Sequence, residues 1–363
     1  MPGLYIHIPF CQRKCSYCDF YSSTDTSQTH RFLHALSIEI RLCSDQISAG
    51  PYSTLYLGGG TPSVLSVSEL KFLANKIKNH FHFPENPEWS IEINPGMISP
   101  EQLRALLQAG FNRLSIGAQS FLDHELRLLE RIHGAGDIHK TVEAARTAGY
   151  VNTSLDLIYG LPGQAMQHWE ISIDQCLDIE PEHISMYALT WSRHTALGRA
   201  IMQGGLPVPD EDLVSDMFLQ AHDRLTDAGY VHYEISNYAK PDHECRHNQQ
   251  YWDGSAYLGL GPSAHSHWSR KRWWNIRSVG QYCEKLEAGE IPVEETECLS
   301  QEEIKTERIA LALRTSRGMA TTDIDHEELG TLIKQGLGTI QGDRWVPSPK
   351  GMLLADEIAL RLL

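Results

Sequence analysis

The chain is short of positive charge: across 363 residues, 31 lysines and arginines stand against 46 aspartates and glutamates, a formal charge of −15. That balance repels polynucleotide phosphate and excludes a general grip on nucleic acid. Long apolar runs are missing too, since none approaches the ~18 to 20 residues that cross a bilayer. The opening MPGLYIHIPF is too short and uncharged for a secretory signal, so a cytoplasmic location is expected. There is no internal repeat, low-complexity tract or long linker. Eight cysteines in a chain of this length, without a secretory signal, exclude a disulfide framework, because the cytosol keeps thiols reduced. What remains, 41% hydrophobic and 21% charged residues, belongs to a globular protein able to bury a large core.

Six apolar, β-branched segments recur along the first half: LYIHI (4–8), STLYL (53–57), WSIEI (89–93), RLSIG (113–117), TSLDLI (153–158) and HISMYAL (183–189). Helix-like stretches such as ELKFLANKIKNHF and EQLRALLQAG separate them, and this alternation predicts a largely parallel sheet. Each segment runs into something polar or glycine-rich: the cysteines, GGGTPS, NPG, AQS, YGLPG and TWS. Ligands of parallel α/β folds gather at the C-terminal strand ends, so six such ends imply one shared site. Beyond residue 195 the pattern changes to a long helix, YVHYEISNYA and a His- and aromatic-rich stretch over 243–274. From Cys298 onward, amphipathic helices flank GTIQGDRWVPSPKG, a predicted hairpin with a winged-helix flavour; acidic residues outnumber basic ones there, which disfavours DNA. The expected units are 1–240, a connecting segment 241–295, and a helical 296–363.

Five cysteines are scattered and read as small core residues. The other three, Cys11, Cys15 and Cys18, form C-x3-C-x2-C directly after the first strand, with Tyr17 before the last. A [4Fe-4S] cluster has four irons, each taking a ligand, so three thiolates leave one iron open for a small molecule such as S-adenosylmethionine (SAM). A zinc site completed by a distant residue such as His7, or plain buried thiols, are the alternatives, although zinc sites usually pair a second Cys or His couple elsewhere. Gly58, Gly59 and Gly60 with Thr61 and Pro62 let a ligand approach the backbone; no Gly-Lys-Ser/Thr follows to make a phosphate loop. Glu92 and Asp156 lie in strands, where a lone carboxylate is costly to bury and needs partners. Gln119 just after the fourth strand and Arg131 on the next helix could pair at the surface. Tyr5 shares a strand face with His7 and could simply fill core space. His247, in HNQQYW, could be a hydrogen-bonded core histidine or a metal ligand.

C-x3-C-x2-C after a strand, followed by GGGTP, resembles the radical SAM superfamily. YIHIPFC, CDF, GGGTPS, IEINPG, GAQSF, DLIYGLPGQ, HNQQYW and GLGPSAHS together resemble the HemW family within it, relatives of the oxygen-independent coproporphyrinogen III dehydrogenases. The resemblance implies a partial (β/α)6 radical SAM barrel with a smaller, mostly helical, winged-helix-like C-terminal domain. It implies a [4Fe-4S] cluster on Cys11, Cys15 and Cys18. It also implies SAM among Tyr5, Tyr17, Gly59, Gly60, Thr61, Glu92, Gln119, Arg131 and Asp156. It further implies a haem chaperone that binds haem, with His247 as candidate ligand and Cys245, His265 and His267 as rivals, and passes it to apo-haem acceptor proteins. The competing reading is a radical SAM oxidoreductase acting on a tetrapyrrole. The dehydrogenases carry another cysteine just after the third ligand, whereas this chain has Asp19 and Phe20, which favours the chaperone. Peripheral membrane contact and a homodimer stay open.

Overall fold

The computed structural model describes residues 1–47 and 50–363. Six parallel strands lead it: β1 (Gly3–Ile8), β2 (Thr54–Gly59), β3 (Glu88–Ile93), β4 (Arg113–Gln119), β5 (Thr153–Tyr159) and β6 (His183–Ala188). They pair in sequence order. Helices cross between them, among them Thr29–Gln46, Val67–His80, Pro100–Ala109, Ala135–Ala148 and Met166–Ile179. Each of the six expected segments is a strand.

The sheet does not stop at six strands. β7 (Val231–Glu234) and β8 (Asn237–Ala239) form a hairpin that adds antiparallel to β6. On the other edge β9 (Tyr257–Leu260) pairs parallel with β1, and β10 (His265–Trp268), β11 (Lys271–Asn275) and β12 (Val293–Cys298) follow antiparallel. Much of 241–295 is therefore sheet, and β12 runs across residue 295. The motif HNQQYW lies in a short helix, Arg246–Trp252, that leads into β9.

Side chains along these strands alternate with period two. One set, including Leu4, Ile6, Leu55, Leu57, Ile91, Leu114, Ile116, Leu155, Leu157 and Ile184, is wholly buried under the helices. The opposite set is polar: Tyr5, His7, Thr54, Tyr56, Ser90, Glu92, Arg113, Ser115, Ser154, Asp156, His183 and Ser185. Register carries this polar row from strand to strand, Tyr5 beside Tyr56, Tyr56 beside Ser90, Glu92 beside Ser115 and Asp156 beside Ser185. Parallel strands covered on both faces are usually apolar throughout. Alternation here marks an inner face that encloses a polar interior, a partial barrel.

Residues 301–362 build a unit with its own apolar cluster around Leu313, Leu332, Trp345 and Ile358. A three-stranded sheet (Met319–Ala320, Gly338–Gln341, Arg344–Pro347) lies among helices Gln301–Ala312, His326–Lys334, Pro349–Leu353 and Ala355–Leu362, the winged-helix-like pattern. Among the described residues no helix is long and apolar enough to cross a membrane.

Glu39, buried on helix Thr29–Gln46, locks the added edge to the barrel. Its carboxylate accepts from the Gly261 amide (2.8 Å), the Asn275 side chain (2.5 Å) and the Tyr282 hydroxyl (2.5 Å). Glu39→Ala leaves three buried donors unmatched, each costing about 1 to 3 kcal/mol. We expect the urea midpoint of the main unfolding transition to fall clearly in that variant, measured by far-UV circular dichroism.

Candidate functional site

The loop after β1 is shaped by the glycines after β2. The Gly60 amide donates to the Ile8 carbonyl (2.8 Å) and the Thr61 amide to the Phe10 carbonyl (2.7 Å), continuing the parallel ladder past the strand ends. A side chain at Gly60 would place its Cβ 2.6 Å from the Phe10 carbonyl oxygen. Gly59 has φ +105° and lies against the His7 ring, so only glycine fits without strain. Cys11 follows directly, its amide donating to the Ser23 carbonyl (2.9 Å). Ser16 ties the loop to the far side of the barrel, its hydroxyl donating to the Leu128 carbonyl (3.0 Å).

Cys11, Cys15 and Cys18 are all free thiols on this one loop, Cys11 buried and the other two half-buried. Burial pushes the Cys11 thiol up, and the same loss of hydration takes Cys18 to about 11. The Thr61 hydroxyl donates to Cys11 Sγ (3.6 Å), and Arg131 Nη1 donates to Cys15 Sγ (3.5 Å). Arg131 Nη2 is held by Asn94 Oδ1 (2.6 Å) and the Gly117 carbonyl (2.7 Å), and Asn94 donates in turn to Thr61 Oγ1 (3.2 Å). One connected network thus spans the C-terminal ends of β1, β2, β3 and β4.

Arg131 departs from the expected position on a helix. The helix Asp123–Leu128 ends before it, because Glu130 takes a left-handed backbone (φ 56°), and Arg131 turns inward from the following loop. Gln119 also has a left-handed backbone (φ 66°), at a register shift between β4 and β5, and its side chain crowds Gly117 together with Arg131. Tyr17 packs on the small apolar patch of Leu129, Ile158 and Leu161 beside the cysteines.

Deeper in the barrel, Glu92 accepts from the Tyr56 hydroxyl (3.1 Å) and the Gly59 amide (3.2 Å). Asp156 accepts from Ser115 (2.8 Å) and Ser154 (3.2 Å). Loss of hydration, with the Asp156 charge second, raises Glu92 to about 7, and loss of hydration raises Asp156 as well. Both carboxyl groups face the same interior. The Tyr5 hydroxyl donates to His7 Nδ1 (3.1 Å), since His7 Nε2 carries the proton given to the Tyr21 carbonyl (2.8 Å). Burial lowers His7 to about 4, so the ring is neutral.

His247 is at the other end. Nδ1 meets the Thr54 hydroxyl (2.8 Å) at the start of β2, Nε2 meets the Tyr251 hydroxyl (2.9 Å), and the ring stacks on Tyr56 at 5.2 Å. It is 1% exposed, and burial lowers it to about 3. Glu88 pins its helix by accepting from the Arg246 (3.1 Å) and His247 (3.0 Å) amides, the favourable place for an anion. The barrel floor is thereby closed by His247 with Arg113, His183 and Tyr233. Cys245 is wholly buried there as well, whereas His265 is exposed on β10, stacked on Trp274.

The structure therefore gathers Cys11, Cys15, Thr61, Arg131 and Gln119 at the upper rim, Tyr5, Glu92 and Asp156 below them, and His247 apart. Asn94 went unforeseen; its only signal was the NPG following β3. Tyr56, Tyr21 and Arg113 gave none, because a tyrosine or arginine in a strand carries no local mark of function.

The Radical SAM superfamily model matches residues 5–176. The chain is 35% identical to a Mycobacterium tuberculosis protein named heme chaperone HemW, over 99% of this chain and 94% of that one. It is 36% identical to the Bacillus subtilis protein of the same name, over 88% and 85%. Among solved structures it is similar to Escherichia coli coproporphyrinogen III oxidase, described as a radical SAM enzyme, with TM-score 0.86 and 25% identity, over 99% of this chain and 90% of that one.

Gly60→Ala should force the Phe10 carbonyl aside and displace Cys11. The expected result is a loss of most iron and sulfide after anaerobic reconstitution, measured per chain against the unaltered protein.

Proposed function

This chain belongs to the HemW family of radical SAM proteins, and from that membership we propose that it is a cytoplasmic haem chaperone, which captures haem and passes it to apo-haem acceptor proteins. The observation that carries the reading is similarity, over most of both chains, to proteins named heme chaperone HemW. Cys11, Cys15 and Cys18 would hold a [4Fe-4S] cluster, and the residues around the C-terminal strand ends would hold SAM.

The residues present fit that pair of groups. Three unpaired thiols share one loop, a cation neighbours Cys15, and a hydroxyl neighbours Cys11. When bound, the cluster supplies an electron for cleaving SAM. Arg131 offsets the negative charge that thiolate ligands bring. Thr61 and Asn94 hold Arg131 and Cys11 in fixed relation. Gly59 and Gly60 leave room for a ligand at the backbone, and Glu92 and Asp156 would offer carboxylates to its cationic groups.

Iron ligation by His247 requires one ring nitrogen to give up its bond to Thr54 or Tyr251, and the 1% exposed ring has to be uncovered to meet the metal. His247→Ala is expected to shift or weaken the Soret band of bound haem; an unchanged band moves the ligand to Cys245 or another histidine.

The deciding experiment presents the anaerobically purified protein with haem and, separately, with coproporphyrinogen III. Stoichiometric haem capture followed by transfer to an apo-haem protein is expected. A decarboxylated porphyrinogen would establish the oxidoreductase reading in its place. Full iron content in Cys11→Ala, Cys15→Ala or Cys18→Ala would sink the cluster assignment.

Glu92 sets a pH dependence. Its carboxyl titrates near 7 in the free protein, and the ionised form attracts a cationic ligand. SAM affinity should therefore rise about tenfold from pH 6 to pH 8. Equilibrium dialysis would show this rise flattened in Glu92→Gln.

A further inference from the structure

The HNQQYW helix has a second face. His247 and Gln250 turn into the barrel, while Gln249, Trp252 and Asp253 line a cavity of about 1050 Å³ between this helix, β7 and the C-terminal unit. Its far wall carries Lys305 and Arg308, one turn apart on helix Gln301–Ala312, together with Arg317 and Arg344. Among the described residues none of these four cations forms an ion pair. Arg344 is spent on the Arg317 and Gly318 carbonyls (2.6 Å each), and Arg317 donates to Gln249 (2.5 Å). Lys305 and Arg308 have no side-chain partner among the described residues.

In a protein of charge −15, surface cations should find carboxylates easily. Four together without one leave a concave wall that concentrates positive potential. Of the acids lining the cavity, Glu234 is buried and pushed up to about 8 by that burial, hence neutral at pH 7. That leaves Glu244, Asp253 and Asp323 against four cations. The volume suits a large ligand, and the Trp252 ring with Ile309, Ala312 and Met319 supplies apolar surface.

We propose that this cavity receives haem as a planar dicarboxylate, its ring against Trp252 and its propionates on Lys305, Arg308 and Arg317. The inference rests on the chaperone reading and adds to it where the macrocycle docks. The binding face is then the outer side of the helix whose inner side carries His247, so a ring docked there is ligated by His247 only after the helix turns that side chain out of the barrel.

The test compares haem with haem dimethyl ester, whose propionates are capped, in anaerobic titrations of the full-length holoprotein. Lys305→Glu/Arg308→Glu should weaken haem binding at least tenfold while leaving iron, sulfide and thermal midpoint unchanged. The ester should bind the unaltered protein weakly and be insensitive to the variant. Should the double variant be unstable, Lys305→Gln/Arg308→Gln, with a smaller loss expected, serves in its place. Haem binding unaltered in the variants, or ester binding as tight as haem, overturns the cavity assignment while the chaperone reading stands. No haem uptake by the unaltered protein overturns both.

Discussion

A charged or polar side chain shielded from water has to find a partner, and in this protein the inner face of the parallel sheet is made of such side chains. Many of their partners, such as Tyr56 for Glu92 and Ser115 for Asp156, lie on neighbouring strands and come together only when the strands are in register. Glu92 leans on Tyr56 and Gly59, Asp156 on Ser115 and Ser154, and Arg131 on Asn94 and Gly117. The apolar outer face holds the helices, and the hydrogen bonds of the polar inner face hold the shape of the interior, although Ser90 Oγ and Arg113 Nε find no partner among the described residues. A slip of one residue in any strand would exchange the two faces.

The barrel has two unlike ends. At the upper rim, the loop of residues 9–28 is held by backbone bonds to strand ends, and there the thiols sit next to a fixed guanidinium. At the lower end a seven-residue helix pinned by Glu88 closes the floor with His247. The thiols and His247 are thus kept at opposite ends of one polar interior. The fold by itself hosts more than one chemistry. What distinguishes members is the content of the loops and of the units added to each edge of the sheet.

Much of this was legible beforehand. The six strands declared themselves through alternation and through glycine or polar residues at their ends, and C-x3-C-x2-C marked its loop because three thiols so close in sequence have few structural uses. Other features were not legible. The His- and aromatic-rich segment read as a connector, yet β9 to β11 and most of β12 extend the sheet, since short strands with mixed aromatic and charged residues carry little periodicity. Arg131 read as helical, and the left-handed Glu130 removed it from the helix. Glu39 carried no local mark of its role, while three donors from residues more than 200 positions away enclose it.

The sequence by itself determined the order of strands and helices and the loop that carries the thiols, because both depend on side chains within a few residues of one another. Only the tertiary structure decided that Arg131 would reach Cys15, that Asn94 would join Thr61 to Arg131, and that His247 would face the barrel while Trp252 faces the cavity. Those outcomes depend on strand register and helix rotation, which bring together groups separated by tens to hundreds of residues and leave no local trace.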